Sequence, residues 1–163
     1  MIHLSGTRFG DLSLEDHAEI SFPDGIIGFS GETRFAILER TRGPIAYLQS
    51  LTTPRLALPM IDATILRPAY PDMPVEELAE LTGARPAHIA ILVIVAVDPF
   101  DSELRANLLA PVVIDVDARI GKQIILEDTH YTTSVHIGNR MPTPKQNHPV
   151  QVAHAPQLES AER

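Results

Sequence analysis

The sequence predicts a mostly β protein: a small closed or partly open antiparallel β-barrel with one short amphipathic helix. Three observations carry this. Short segments that alternate apolar and polar positions, or are rich in β-branched residues, recur along the chain. Turn residues separate them at short intervals. Only one stretch, "PDMPVEELAELTG", combines helical spacing with helix-end chemistry. Many short strands and one helix belong to a barrel or sandwich rather than to a bundle.

The strand windows, in order, are Ile2 to Phe9, Ala18 to Phe22, Arg34 to Glu39, Ile45 to Leu51, Leu56 to Ile61, Ile89 to Val97, Ala106 to Val116 and Lys122 to Leu126, with a weaker one at Thr133 to Ile137. Ile89 to Val97, "IAILVIVAV", is apolar at every position. A strand buried on one side alternates, so this one has both faces covered, one by the sheet interior and the other by the helix, a second sheet or a partner. Pro59 and Pro111 cannot donate to a ladder, which places each on an edge or at a bulge, with a bulge the better account of Pro111. In "DARIGKQ" Gly121 is expected to supply the positive φ of a hairpin joining the last two confident strands.

Pro74 suits the first helical position, Glu76 and Glu77 suit the positive end of the helix, and Gly83 suits its stop. Val75, Leu78 and Leu81 or Thr82 then share a face. A helix of about two turns is too short to stand alone, so that face needs a surface to lie on.

At 163 residues the chain fits one domain, read as residues 1 to 137, followed by a Pro-rich tail at 138 to 163 expected to be disordered. A hydrophobic fraction of 44% with 21% charged residues is that of a globular protein, and no apolar run approaches the ~20 residues of a membrane-spanning helix. The N-terminus lacks a basic stretch followed by an apolar one, which makes the expected location cytoplasmic, with no membrane partner. The absence of cysteine removes disulfides, thiolate metal sites and cysteine nucleophiles. A net charge of -8 opposes direct binding to nucleic acid and favours a basic partner, or serves solubility alone.

The seven histidines fit no standard ligand spacing. Asp115 and Asp117 share a strand face, and Glu127, Asp128, His130 and His136 follow. Together they are the basis of one alternative, a small metal-assisted hydrolase using the acidic and histidine residues from Asp115 to His136. Asp98 and Asp101 in "VDPFDSE" read as turn and cap residues. No nucleophile elbow or phosphate loop is present, so no catalytic, cofactor-binding or metal residue is assigned and the protein is read as a non-enzyme.

The stretch "FPDGIIGF" at 22 to 29 sets the main question. Pro23, Asp24 and Gly25 make a turn, yet Phe22, Ile26, Ile27 and Phe29 are large and apolar. They have two destinations, the protein's own core or another molecule. Phe22 and Phe29, with Ile26 or Ile27 beside them, are expected to plug one end of the barrel; the partner reading requires at least one of Ile26, Ile27 and Phe29 to be exposed beside other apolar residues. Gln49, Asn107 and Tyr131 complete the partner-binding candidates, because amides and a phenol offer directional bonds at an apolar surface. Gln49 equally suits a bond across strands, and Tyr131 a lid on the barrel mouth.

"FPDGIIGF", "YLQS" at 47 to 50, "ANLLAPVVID" at 106 to 115 and "GKQIILED" at 121 to 128, in this order and with the "PDMPVEELAEL" helix, resemble the FliW family of bacterial flagellar assembly factors over residues 1 to 131. From "YTTSVHIG" onward the sequence departs from the family's pattern. The resemblance implies a cytoplasmic, non-enzymatic β-barrel protein, monomeric when free, that needs no cofactor. It implies two protein partners: flagellin, held as a chaperone client, and CsrA, an RNA-binding translational repressor that FliW binding relieves from flagellin messenger RNA. A third reading keeps the docking role and changes the client to another secreted filament protein.

Overall fold

The computed structural model describes residues 1–40, 43–66, 70, 73–127 and 129–137. The tail expected at 138–163 lies outside the described residues. The chain opens with β1 (Ile2–Thr7) and β2 (Gly10–Leu14), an antiparallel hairpin. The sequence reading ran β1 on to Phe9 and had no β2. Gly10, at φ 86°, turns the chain back, and the alternating Leu12 and Leu14 then face the same way as Leu4.

A nine-stranded sheet follows: β3 (Ile20–Ser21), β4 (Arg34–Glu39), β5 (Ala46–Ser50), β6 (Ala57–Asp62), β7 (Ile89–Val97), β8 (Leu104–Ala106), β9 (Val112–Asp115), β10 (Ile120–Gln123) and β11 (Val135–His136). Its pairings run β7-β6-β5-β4-β3-β10-β9 and return from β9 to β7, so these strands close a ring of hydrogen bonds. The ring is not a regular antiparallel barrel. β3 and β10 run parallel and meet at the single pair Ile120↔Ser21, seconded by the bond from Ser21 N–H to the Arg119 carbonyl, while β8 and β11 branch off β7 outside the ring.

Two-sided burial explains the strands that carry no polar face. In β7, Ala90 and Leu92 fill the ring with Phe35, Ile37, Leu48, Met60, Val112 and Ile114. Ile89, Ile91, Val93 and Val95 of the same strand lie on the outer side with Leu78 and Ala79 of α1 (Val75–Thr82). β4 divides likewise: Phe35 and Ile37 point into the ring, and Ala36 and Leu38 pack under the β1–β2 hairpin. Burying one such side chain is worth roughly 1.5–3 kcal/mol, so the helix and the hairpin stabilise the ring from outside.

The helix ends as its chemistry requires. Pro74, expected at the first helical position, is instead the N-cap and makes no side-chain cap bond; Glu76 and Glu77 occupy the first turn, and Gly83, at φ 71°, closes the helix with its N–H on the Glu80 carbonyl. Leu78 and Ala79 are the buried side chains, with Val75 and Thr82 partly covered; Leu81 instead lies on the flank of that face and is exposed.

Three details differ from the sequence reading. The single strand expected from Ala106 to Val116 is split into β8 and β9, because Val95 pairs with Ala106 and Leu92 with Val112, leaving residues 107–111 opposite only Val93 and Ile94. Pro111 sits in this excursion, as a bulge residue should. Pro59 lies in an interior strand rather than an edge strand; it pairs with Tyr47, but the ladder to β7 begins one residue later at Met60↔Ile94. The β9–β10 hairpin forms, yet Arg119, at φ 57°, supplies the positive φ, not Gly121.

Candidate partner-docking surface

Residues 22–29 form a rigid turn with one inner and one outer side. Gly25, at φ 68°, donates its N–H to the Phe22 carbonyl at 2.9 Å. A Cβ there would fall 2.6 Å from the Ser30 carbonyl oxygen, so only glycine fits. Ile26 and Phe29 then bridge: the Phe29 N–H donates to the Ile26 carbonyl at 2.7 Å, and Gly28, at φ 88°, takes the third position of the tight turn between them. Two contacts fasten the turn to β10. The Ile27 N–H donates to Gln123 Oε1 at 2.8 Å, and Lys122 Nζ stands 4.0 Å from Asp24.

The apolar residues divide accordingly. Phe22 is fully buried, edge-on to Phe35 with ring centroids 5.1 Å apart, and Ile26 is 2% exposed beside it. Ile27 is 58% exposed and Phe29 40%. The expectation that Phe29 joins Phe22 in plugging the ring is therefore corrected: Phe29 and Ile27 point out, and Phe22 with Ile26 does the filling. Ile125, two residues beyond Gln123 in the chain, is exposed as well.

The other three candidates sit elsewhere. Gln49 is fully buried, and its Nε2 donates to the carbonyls of Ser50, Pro54 and Leu56, tying down the 50–56 loop; among the described residues its Oε1 has no hydrogen-bond partner. Asn107 is partly buried in the excursion between β8 and β9, where its N–H donates to the Ile94 carbonyl and its Oδ1 accepts from the Ala110 N–H. Tyr131 is buried edge-on to Tyr70 at 4.6 Å, closing the outer core. Burial, and then the charge interaction with the neighbouring Tyr131 phenol, push the Tyr70 phenol up, and its hydroxyl donates to the Leu108 carbonyl at 2.7 Å.

Among the described residues, those from Asp115 to His136 do not converge on one metal position, and Asp128 lies outside the described residues. Asp115 Oδ1 accepts the Asp117 and Ala118 N–H groups of its own turn, and Asp117 pairs with His88. His130 is exposed beside Tyr131. The grouping among the described residues with cation-holding spacing is Asp101, Glu103 and His136, of which only His136 belongs to that set. Glu103 is paired with His136, and Arg105 bonds both Asp98 and Asp101. Asp98 and Asp101 are turn residues as read: their side chains accept the N–H groups of Phe100 and Glu103.

Sequence reasoning missed Leu81 and Ile125 as surface residues, because spacing alone left the core face open to Leu81 or Thr82 and placed Ile125 in a strand that ends at Gln123. No helix is long and apolar enough to cross a membrane among the described residues.

The fold and its surface define a class: a mostly β protein, closed by a ring of strands, that holds an apolar turn outward on a rigid frame. The family model described as FliW protein matches residues 3–137, six residues past the point where the resemblance was read to stop. The chain is 38% identical over 128 residues to the flagellar assembly factor FliW of Geobacillus thermodenitrificans, covering 76% of this chain and 87% of that one. It is 36% identical over 133 residues to the FliW of Natranaerobius thermophilus, covering 80% and 88%. A crystal structure of the flagellar assembly factor FliW superposes with a TM-score of 0.72 at 31% identity, over 89% of this chain and 99% of that one. The chain belongs to the FliW family.

Proposed function

We propose that this protein is a flagellar assembly factor that binds flagellin in the cytoplasm as a chaperone and binds a CsrA-type RNA-binding repressor, relieving repression of flagellin synthesis. It acts as a monomer when free, without catalysis, cofactor or direct contact with nucleic acid. The observation that carries the reading is the outward pair Ile27 and Phe29 on a turn locked by Gly25 and Gln123, in a member of the FliW family. Exposed apolar side chains on a rigid frame cost little ordering entropy when a partner covers them. Mutually exclusive binding of two partners requires only overlapping surfaces, so no moving part is needed.

The test mixes purified protein with flagellin and follows the complex by size-exclusion chromatography, then adds the CsrA-type regulator. A stable complex displaced by the second partner is the expected result. Failure to bind either one refutes the reading.

A further inference from the structure

We propose that the groove between α1 and the segment of Ile124, Ile125, Leu126, Glu127 and Thr129 is a docking site for a cationic amphipathic helix of a partner protein. The inference stands on the groove itself and does not rest on the flagellar reading. The groove has a volume of about 490 Å³ and runs between the helix flank carrying Pro74, Glu77 and Leu81 and the segment carrying Ile125 and Glu127.

Its walls are fixed by backbone geometry. Glu77 and Leu81 are four residues apart on one helix flank and so lie one above the other. Across the groove, the Ile124 N–H bonds the Pro111 carbonyl at 3.0 Å and the Leu126 N–H bonds the Leu109 carbonyl at 2.7 Å. Those bonds turn Ile124 and Leu126 inward to the buried floor and leave Ile125 outward. Both lips are therefore apolar and wet: Leu81 is 54% exposed and Ile125 55%.

Charge selects the occupant. Glu77 stands on one wall and Glu127 on the other, and no Lys, Arg or His lines the groove among the described residues. Neither carboxylate has an ion-pair partner among those residues, nor do Glu76 and Glu80 of the same helix. An anionic lipid or a nucleic acid is repelled here. A helix with an apolar stripe on Leu81 and Ile125 and Lys or Arg on both flanks meets a carboxylate on each side. Helix-in-groove recognition reads such a stripe three and four residues apart, and α1, at ~1.5 Å per residue, offers a wall long enough for about two turns.

The experiment uses the full chain and two fluorescent peptides of about 12 residues, roughly 18 Å as helix, with the same Leu stripe and either Lys or Glu on the flanks. Anisotropy should show saturable binding of the Lys peptide, at least ~10-fold tighter than the Glu peptide, which corresponds to ~1.4 kcal/mol. Glu77→Gln with Glu127→Gln should abolish that preference, and Leu81→Ser with Ile125→Ser should weaken the Lys peptide by a similar factor. Glu15→Gln, after β2, should change nothing. Circular dichroism checks the fold of each variant; should the serine pair fail to fold, the glutamine pair and its charge preference decide. Absence of saturable binding, equal binding of the two peptides, or a preference that survives the glutamine pair overturns the proposal.

Discussion

Replacing Gly121 by alanine tests how the turn at 22–29 is seated. Gly121 lies in β10, its φ is not positive, and a Cβ built on it would fall 2.2 Å from Phe22 Cζ and 2.5 and 2.6 Å from the two Cε atoms. The Phe22 ring thus ends against bare backbone. It has no room to retreat, since it is fully buried and edge-on to Phe35. Overpacking of this kind costs ~1–3 kcal/mol. At about 2–4 °C per kcal/mol for a chain of this length, the melting temperature should fall by roughly 2–12 °C. The sign is the sharp part: where space exists, Gly→Ala stabilises by ~0.4–1 kcal/mol through the unfolded state. Equilibrium denaturation of Gly121→Ala, Phe22→Leu and the double variant gives the coupling directly. The double variant should be less destabilised than the sum of the singles, by ~0.5–3 kcal/mol. A Gly121→Ala protein as stable as the parent, or strict additivity with Phe22→Leu, would refute the packing account.

Ile27→Ser and Phe29→Ser should each leave stability within about 0.5 kcal/mol, as surface changes do, while weakening capture of flagellin at least ~10-fold; a loss of stability with binding intact reverses the assignment. Tyr70→Phe removes the buried bond to the Leu108 carbonyl and should cost ~0.5–1.5 kcal/mol in denaturation, and an unchanged midpoint would show that this bond contributes nothing. The Phe100 N–H, and then Arg105, hold the Asp98 carboxyl below its ordinary value of 3.8. Its folded pKa is depressed, so its contribution to the 98–105 hairpin is present above the unfolded value and lost as pH falls through the folded one. The protection of the Phe100 amide, the intrinsic exchange rate at the same pH relative to its own, should fall only in that acid range, and Asp98→Asn should lose this pH dependence; protection that is lost near neutrality contradicts this.

Much of the fold is legible where the cause is local. Pro74, Glu76 and Gly83 bound the helix because capping and φ preferences act within one turn of chain. β4 and β7 match their expected limits because two-sided burial writes an uninterrupted apolar run. The Asp98 and Asp101 turn likewise follows from side chains bonding backbone two residues on. The turn at 22–29 is legible only by half: "FPDGIIGF" shows that apolar residues ride on a turn, but not that Ile26 goes in while Ile27 and Phe29 go out, the Ile27 amide being held by Gln123 from 96 residues away.

By itself the sequence determined the mostly β class, the helix and its limits, the family, and the presence of an apolar turn, since each rests on contacts within a few residues or on an ordered set of motifs. Only the tertiary structure decided the rest: the ring closed through a parallel β3–β10 contact, the break between β8 and β9, the role of Gly121 as the floor under Phe22, and the exposure of Leu81 and Ile125 across a groove. The physical reason is register. Which residue faces a neighbour across a sheet is fixed by pairing between distant segments, and a shift of one residue exchanges the buried face for the wet one.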